Sequence, residues 1–262
     1  MKSGDLKERT ARERTAYNSG DVYKNNDKLH RKYMNVFECP NTIRSEKYFH
    51  TSVKEKSKNA AVLDCGCHNG ELTAKIIGYG AKTPVGIDIS EKSVAFAKSN
   101  MRQPVDGNTL TEPLFCAGDM HQTCFKNSTF DLVVGRAILH HLNFENAMTE
   151  IHRILKPGGY AIFIEAMGDN PMAKLFRLLT PNARTADEKP LSRKEIINID
   201  KMFTQSSHLF FNLFSVPAGM ATSLVNLPPK NILTVISDKI DMLFAKTYFK
   251  YWMRAGIFIW KK

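Results

Sequence analysis

Residues 63–71 read LDCGCHNGE and join an apolar run to a segment with apolar residues at helical spacing. Gly66 and Gly70 predict a binding turn, because glycine lets the backbone approach a ligand closely. The free N–H groups at the start of the following helix favour a carboxylate group there. His68 takes a position where a third glycine is usual, and histidine tolerates left-handed backbone angles better than most residues. We therefore predict a strand, a ligand-binding turn and a helix, with His68 shaping the turn and taking no part in catalysis.

Short β-branched runs alternate with helical segments over residues 61–165, a pattern typical of a parallel sheet with crossover helices. Ser90 is a predicted helix N-cap, and the KPGG sequence at 156–159 predicts a stop and a turn after the preceding helix. In such a sheet, ligands bind beyond the carboxyl ends of the strands. The predicted strands are AAVLDC (60–65), TPVGIDI (83–89), EPLFCAGD (112–119), FDLVVGRA (130–137) and GYAIFIEA (159–166).

The segments on either side of this core extend the same domain in our interpretation. Residues 1–58 are polar and basic with scattered aromatics, and they predict a helical cap packed over the edge of the sheet. Residues 59–166 form the predicted ligand-binding core. Residues 167–262 begin with a turn-rich insertion that we expect to cover a pocket. A helix over 232–252 and a final strand in RAGIFIW (254–260) are predicted to follow.

Composition limits the classes of protein to which this chain can belong. Its 262 residues are 43% hydrophobic and 24% charged, enough for a sizeable core. The N-terminal segment is charged where a signal peptide needs an apolar stretch, so we expect a cytoplasmic protein. Five cysteines without CxxC pairs or paired histidine spacing predict reduced thiols and no metal site. The net charge of +11 allows a nucleic acid, an anionic membrane or an acidic substrate as partner and selects none of them.

Acidic residues at the ends of the second and third predicted strands suit one nucleoside ligand. Asp88 can accept both hydrogen bonds of a ribose diol, while Asp119 can accept from an adenine amino group with Met120 against the ring. NAD and S-adenosylmethionine (AdoMet) both carry these groups. A dinucleotide turn requires GxGxxG around a pyrophosphate, whereas this turn reads DxGxxxG, and Asp64 at its mouth would attract the ammonium and sulfonium of AdoMet. The sequence therefore favours AdoMet.

Five motifs, in this order and spacing, resemble the core of the class I AdoMet-dependent methyltransferases, the widespread group that modifies small molecules. The motifs are LDCGCHNG, GIDIS, GDM, FDLVVGRAILHHL and EIHRILKPGGYAIFIE. The resemblance implies an α/β fold with a Rossmann-like, doubly wound, mostly parallel seven-stranded sheet, helices on both faces, an N-terminal helical cap and an insertion after strand five. It also implies an enzyme with AdoMet as its cofactor.

The resemblance assigns the AdoMet contacts to four places in the chain. Singly, most of these residues are also explained as turn glycines, surface aspartates or helix caps, but together they favour the ligand interpretation. The implied contacts are Asp64, Gly66, Cys67 and Gly70 for the methionine end, Asp88 and Ile89 for the ribose, Asp119 and Met120 for the adenine, and Gly135 and Arg136 beside the sulfonium.

Methyl transfer requires an acceptor placed in line with the methyl group and sometimes a base that takes its proton. His140 and His141 follow the fourth predicted strand, near the expected position of the methyl group, and either is a candidate base. The alternative is that both histidines belong to a structural turn. Glu165, at the end of the fifth strand, is a third candidate and could also bind a substrate.

The segment FRLLTPNARTADEKPLS, after the fifth strand, resembles one that roofs the substrate pocket in a subset of the family. Arg177 and Arg184 are candidates for meeting an anionic substrate. Asp187 and Glu188 would equally hold these arginines in structural ion pairs, and we favour that interpretation. Tyr17, in the N-terminal segment, is a further candidate for substrate binding.

The leading hypothesis is an enzyme that methylates an oxygen or nitrogen of a small, hydrophobic or aromatic metabolite. The apolar 209–214 run, Met220 and the 232–252 segment are candidates for lining its pocket. The alternative, which we favour for most of these residues, is ordinary core packing. A variant places a quinone, lipid or glycan precursor at an anionic membrane surface, with the basic N-terminal segment and the amphipathic 232–252 stretch as contacts.

Two other classes are disfavoured. An RNA methyltransferase acting on amines usually has an Asn/Asp-Pro-Pro-aromatic stretch where this chain has GRAILHHL, and a C5-pyrimidine enzyme needs Pro-Cys where Cys39 has the reverse order. A non-catalytic binding protein of the same fold would not need the intact acidic residues Asp64, Asp88 and Asp119. The sequence leaves the identity of the acceptor and the oligomeric state open.

Overall fold

A sheet of seven strands lies at the centre of the part of the chain that the computed structural model describes, residues 3–101, 112–179, 185 and 187–262. The order across the sheet is β3-β2-β1-β4-β5-β7-β6, and the first five strands pair in parallel, which confirms the predicted alternation of strands and helices. The strands are β1 (Ala61–Cys65), β2 (Thr83–Asp88), β3 (Leu114–Ala117), β4 (Phe130–Arg136), β5 (Leu155–Ala166), β6 (Gln205–Phe211) and β7 (Ala255–Lys261).

The prediction of a mostly parallel sheet is wrong, because the sheet is mixed. β7 lies between β5 and β6 and pairs antiparallel with both. The continuous apolar run in RAGIFIW predicts a strand without indicating its direction, because such a run is the same whichever way the strand lies in the sheet. The Rossmann-like arrangement of β1 to β5 is confirmed.

Helices cover both faces of the sheet. α7 and α9 bury apolar residues on one face, and α4 and α5 on the other. Ser90 caps α6 as predicted, with its hydroxyl accepting from the Ser93 N–H. In the described ranges, no helix has both the length and the apolar character needed to cross a bilayer. The helices are α1 (Ser3–Ser19), α2 (Asp21–Lys32), α3 (Met34–Glu38), α4 (Pro40–Ser57), α5 (Glu71–Gly78), α6 (Glu91–Asn100), α7 (Phe144–Ile154), α8 (Pro171–Leu179), α9 (Arg193–Asp200), α10 (Ser215–Leu224) and α11 (Ile232–Phe244).

α4 lies closer to the centre of the sheet than the helical cap predicted for residues 1–58. Its Phe49 and Val53 are fully buried in one cluster with Val62, Leu132 and Ile162 of the sheet. The structure therefore places this helix on a face of the sheet instead of over its edge, because two large apolar side chains one turn apart need a flat apolar surface. The predicted domain boundaries stay a prediction.

The connection between α7 and β5 is tighter than the sequence predicts. α7 ends at Ile154 and β5 begins at Leu155, so the KPGG sequence lies within the strand instead of in a separate turn. Gly158 has a φ of 78°, and the pairing with β4 shifts register between Phe130 and Leu132. The predicted end of the helix is confirmed, and the predicted turn is an irregularity of β5.

Candidate active site

A cavity of about 960 Å³ opens at the carboxyl ends of β1, β2 and β4. Gly66, Asp88 and Arg136 lie on its wall where these strands end. The N-terminal helices, the segment after β5 and the segment after β6 form the other sides. Open α/β sheets bind ligands at this edge, because the loops that leave the strands there frame a crevice.

The turn after β1 has the predicted backbone. Gly66 has a φ of +68°, and a Cβ added there would lie 2.9 Å from the Ile138 side chain, so glycine alone fits without displacing that residue. Gly70 has a φ of +83° and immediately precedes α5. His68 has a φ of 45°, which confirms its predicted left-handed conformation. Its N–H donates to Asp88 Oδ2 at 3.0 Å and so joins the turn to the end of β2.

Asp64 lies beneath this turn and is not among the residues that line the cavity. Its side chain is buried, and its Oδ2 accepts from the Thr73 hydroxyl of α5 at 2.7 Å. Burial raises the pKa of Asp64 to about 7, while the hydrogen bond from Thr73 acts in the opposite direction. The predicted attraction of Asp64 for the ammonium and sulfonium stays a prediction. The structure adds a second role, since this carboxyl group joins β1 to α5.

Asp88 and Ile89 lie on the cavity wall at the end of β2, where the sequence predicts ribose binding. Asp88 Oδ1 accepts from the Ser90 N–H at 2.8 Å, and Oδ2 accepts from the His68 N–H. Each carboxylate oxygen has a second lone pair, so both oxygens can still accept from a hydroxyl group. Burial raises the pKa of Asp88, and the two backbone N–H groups act against that rise. This placement suits a carboxylate that accepts from a diol in the cavity.

The predicted adenine motif brings Met120 and His121 to the cavity wall, with Asp119 behind them. Asp119 Oδ1 lies 2.6 Å from His121 Nδ1, and its Oδ2 accepts from the Thr10 hydroxyl at 3.2 Å. His121 Nε2 accepts from the Asn143 N–H, so the ring donates to Asp119 from Nδ1. Burial favours the neutral acid, yet the contacts with His121 lower the pKa of Asp119. Sequence reasoning missed His121, and the adenine contact of Asp119 stays a prediction.

Of the other predicted AdoMet contacts, Arg136 lines the cavity, whereas Cys67, Gly70 and Gly135 are not among its lining residues. Two guanidinium nitrogens of Arg136 donate to Glu46 at 2.7 Å each. A Cβ added at Gly135 would lie 2.5 Å from an aromatic ring of β5. Packing alone therefore accounts for a glycine there, and the role of these four predicted residues toward AdoMet stays a prediction.

His140 and Glu165 form a buried pair beside the cavity. His140 Nδ1 lies 2.6 Å from Glu165 Oε2, and Glu165 Oε1 accepts from the N–H groups of Ile138 and Leu139 at 2.8 Å each. Because the carboxylate accepts, the His140 ring donates from Nδ1 and keeps a lone pair on Nε2 when neutral. Burial favours the neutral ring, but the charge and hydrogen bond of Glu165 raise the pKa of His140. Glu165 thus orients the ring and the turn after β4, and its predicted role as a base stays a prediction.

His141 meets residues of the N-terminal helix α1. Its Nε2 lies 2.9 Å from the Tyr17 hydroxyl, and its Nδ1 lies 3.4 Å from Glu13 Oε2 and 3.4 Å from the Thr185 hydroxyl. Arg9 donates to the His141 carbonyl oxygen at 3.0 Å. The structure thus brings Tyr17, a predicted substrate residue, to the candidate base His141. Sequence reasoning missed Arg9 and Glu13, because α1 carries no motif that relates it to the strand ends.

The insertion after β5 covers the cavity together with α1. Arg177 lines the cavity, and its guanidinium lies 3.4 Å from the Gly168 carbonyl oxygen. Arg184, the other predicted arginine, lies outside the described residues. Asp187 accepts from Arg12 of α1 at 2.7 Å and 2.9 Å, which is a different partner from those that the sequence predicted. The contact between the insertion and α1 is consistent with the predicted roof.

One wall of the cavity is apolar. Part of each of the three candidate segments contributes to it, whereas Phe210 and Phe211 of the 209–214 run pack in the core. Within this wall Arg254 is charged, burial lowers its pKa, and its Nε has no hydrogen-bond partner among the residues that the structure describes. The apolar lining residues from these segments and from the start of α10 are Leu213, Phe214, Val216, Pro217, Met220, Phe244, Phe249 and Trp252.

The polar groups and the volume of the cavity fit AdoMet. The turn at Gly66 leaves room for the backbone to approach a ligand, and Asp88 offers acceptors for a diol at the next strand end. Met120 places a thioether chain on the wall beyond them, where a flat ring can pack. The volume lies at the upper end of the usual range for ligand sites, about 300–1,000 Å³. It therefore leaves space for an acceptor beside the cofactor.

Comparison with known proteins assigns residues 63–163 to a family described as a methyltransferase domain. The chain is 29% identical over 173 residues to the uncharacterized protein MJ0638 of Methanocaldococcus jannaschii, covering 65% of this chain and 68% of that protein. It is 31% identical over 144 residues to the sterol 4-C-methyltransferase strm-1 of Caenorhabditis elegans, covering 53% of this chain and 41% of that protein. The chain thus spans less than half of the sterol enzyme.

A solved structure supports the fold. The SAM-dependent methyltransferase of Methanosarcina mazei superposes with a TM-score of 0.51 at 18% identity, covering 78% of this chain and 93% of that one. At this identity the likeness shows a shared fold and leaves the acceptor undetermined.

Proposed function

The chain belongs to the class I AdoMet-dependent methyltransferases, and we propose that it methylates an oxygen or nitrogen of a small, apolar or aromatic acceptor. The family and its cofactor rest on the methyltransferase domain over residues 63–163. The acceptor class rests on one observation, the apolar wall that shares a cavity with His140 and His141. The sterol named for the Caenorhabditis elegans relative is itself apolar, which supports this choice.

The residues of the cavity divide between the two partners of the reaction. Bound AdoMet supplies a methyl group on a positively charged sulfur. Asp88 would accept from its ribose hydroxyls, and the backbone around Gly66 would meet its methionine end. His140 presents an Nε2 lone pair that either receives the acceptor's proton or binds a cation that polarises the acceptor. α1 and the insertion after β5 would exclude water from the acceptor's side.

An apolar acceptor gains free energy from this wall because its surface leaves water. Burial of apolar surface contributes about 25 cal/mol per Å², so burying about 150 Å² of one aromatic ring against Phe214 and Met220 contributes about 4 kcal/mol, the order of a millimolar dissociation constant. A strongly polar acceptor would lose hydrogen bonds to water on entering and would recover few of them. The wall therefore selects against sugars and free amino acids as acceptors.

Met220→Gln should raise the KM of a phenolic or other hydroxyaromatic acceptor by roughly tenfold, because it places an amide in the apolar wall. The affinity for AdoMet should stay unchanged. Transfer of labelled methyl groups from AdoMet to a panel of hydroxyaromatic and hydrophilic compounds measures both the preference and the KM. Met242→Gln is the matched control, since Met242 is 45% exposed on α11 and does not line the cavity.

Two results would contradict the proposed acceptor class. One is a clear preference for hydrophilic compounds in the panel. The other is an equal KM in Met220→Gln and Met242→Gln for the best acceptor, since the apolar wall would then make no contact with it.

A second candidate function is methyl transfer to an apolar acceptor at a membrane surface, and exposed apolar residues at the cavity favour it. Phe249 and Trp252 line the cavity and are also 40% and 39% exposed. Ile232 and Leu243 of α11 are 76% and 67% exposed. Apolar side chains accompanied by lysines are typical of a surface that binds anionic lipid. Exposed lysines of the same segment are Lys230, Lys239 and Lys246.

Sedimentation with lipid vesicles tests this second candidate. The protein should sediment with phosphatidylcholine vesicles that contain phosphatidylserine and stay in solution with phosphatidylcholine alone. Leu243→Asp should abolish sedimentation, because it places a charge in the apolar surface. Leu114→Asp is the matched control, as Leu114 is 63% exposed on β3. Equal sedimentation of both variants, or no effect of phosphatidylserine, would exclude this surface as the membrane contact.

A further inference from the structure

Two adjacent histidines and a carboxylate face one another on the cavity wall. His140 and His141 each offer a ring nitrogen, and Glu188 offers a carboxylate oxygen. These three atoms lie within 4.8 Å of one another. All three residues line the cavity, and both imidazole rings are buried. Imidazole nitrogens with a carboxylate oxygen form a usual ligand set for zinc and other first-row divalent transition metals.

His140 is held in the way that metal-binding histidines are held. Its Nδ1 lies 2.6 Å from Glu165 Oε2, and Glu165 is fixed in turn by the N–H groups of Ile138 and Leu139. This contact sets the tautomer with the proton on Nδ1 and leaves Nε2 as the possible ligand atom. A carboxylate that accepts from the far nitrogen of a metal-bound histidine is a frequent arrangement, because it orients the ring and makes it a stronger ligand.

A fourth group, Glu13, places a further carboxylate beside His141. Its side chain is 7% exposed, and both of its oxygens are buried without a hydrogen-bond donor among the described residues. Glu13 Oε2 lies 3.4 Å from His141 Nδ1, longer than a charge-assisted hydrogen bond of about 2.7–2.9 Å. The distance matches two ligands of one tetrahedral ion, which are about 3.4 Å apart when each lies about 2.0–2.1 Å from the metal.

A buried carboxylate without a donor is costly unless a cation neutralises it. Glu13 also lines the cavity, so the cation could be a bound ion on the acceptor's side. The two imidazole rings lie with their centroids 4.2 Å apart, which brings nitrogen ligands from consecutive residues to the same place. These groups come from α1, from the turn after β4 and from the insertion after β5.

We propose that His140, His141 and Glu188, with Glu13 beside them, bind one divalent transition-metal ion at the acceptor's side of the cavity. The sequence predicts no metal site, since these residues lie in three distant segments and show no metal-binding spacing. The chemical role of the ion rests on the proposed function, methyl transfer, with a hydroxyl group as the acceptor.

In that reaction the ion would hold the acceptor's oxygen and make its hydroxyl a stronger acid. The hydroxyl proton leaves to solvent, and the oxygen forms a new bond to the methyl carbon of AdoMet. The carbon–sulfur bond breaks and sulfur keeps its electron pair, so the products are the methyl ether, the demethylated cofactor and one proton.

Metal content and metal binding test the site directly. The protein, prepared without a polyhistidine tag, is analysed for bound metal by mass spectrometry, stripped with a chelator, and titrated with Zn²⁺ by calorimetry and with Co²⁺ by visible absorption. We expect one ion per chain and a Co²⁺ spectrum of nitrogen and oxygen ligands. Glu188→Gln should weaken Zn²⁺ binding by at least about tenfold. Glu145→Gln, at an exposed position of α7, should bind as the unaltered protein does.

The same samples are titrated with AdoMet, which separates the two proposals. AdoMet binding and methyl transfer in a protein that binds neither Zn²⁺ nor Co²⁺ would overturn the metal site and leave the proposed function intact. Equal Zn²⁺ affinity in Glu188→Gln and the unaltered protein would also overturn it. Stoichiometric metal binding that weakens in Glu188→Gln supports the site even when no AdoMet binds, and the proposed function alone would then fail.

Discussion

Glu165→Ala should destabilise the fold by about 3–5 kcal/mol. Glu165 is 2% exposed, and its two oxygens accept from the N–H groups of Ile138 and Leu139 and from the ring of His140. Alanine would leave these three donors buried without acceptors, and each such donor costs about 1–3 kcal/mol. Denaturant unfolding followed by circular dichroism measures the loss as a lower midpoint.

Two controls separate the hydrogen bonds from the volume of the side chain. Glu165→Gln keeps the shape and one acceptor oxygen, so we expect a smaller loss than with alanine. Glu145→Ala, at an exposed position in the first turn of α7, should destabilise by no more than about 1 kcal/mol. An unchanged midpoint in Glu165→Ala would mean that the turn after β4 does not depend on this carboxylate.

Asp88→Ala should weaken AdoMet binding by about 1–3 kcal/mol, roughly 5–150-fold in affinity. Asp88 ends β2 on the cavity wall, and each of its oxygens has a lone pair left for a ribose hydroxyl. Its replacement also releases the His68 N–H, so the turn that meets the methionine end loses one anchor. Titration calorimetry measures the change directly.

Asp131→Ala is the matched control for Asp88→Ala. Asp131 lies near the start of β4, at the opposite end of the strand from the cavity, and pairs with Lys156 at 2.9 Å. Its loss should leave AdoMet affinity unchanged, because neither Asp131 nor Lys156 lines the cavity. If Asp88→Ala also binds AdoMet with unchanged affinity, Asp88 does not belong to the site.

The inner strands could be predicted because burial on both faces leaves a strong signal in the sequence. Val62, Leu63, Leu132 and Val133 are fully buried, and such strands are continuous apolar runs. The direction of β7 could not be predicted, because a continuous apolar run is the same in either direction. It is set by long-range pairing with β5 and β6, which no local pattern encodes.

The residues of the candidate site also fall into those that the sequence predicts and those that it does not. The turn after β1 and Asp88 were predictable, since each sits at a strand end with its own local motif. Glu13, His121 and Arg254 also line the cavity, but they reach it from elements whose positions depend on tertiary packing. The burial of Asp64 under the turn follows from the packing of α5 and was likewise invisible in the motif.

We infer that AdoMet binds in the cavity at the carboxyl ends of β1, β2 and β4. Titration calorimetry of the unaltered protein with AdoMet, and separately with its demethylated product, tests it most directly. We expect saturable binding of both ligands at one site per chain, with weaker binding of AdoMet by Asp88→Ala than by Asp131→Ala. Absence of binding by both ligands at sub-millimolar concentration would contradict it.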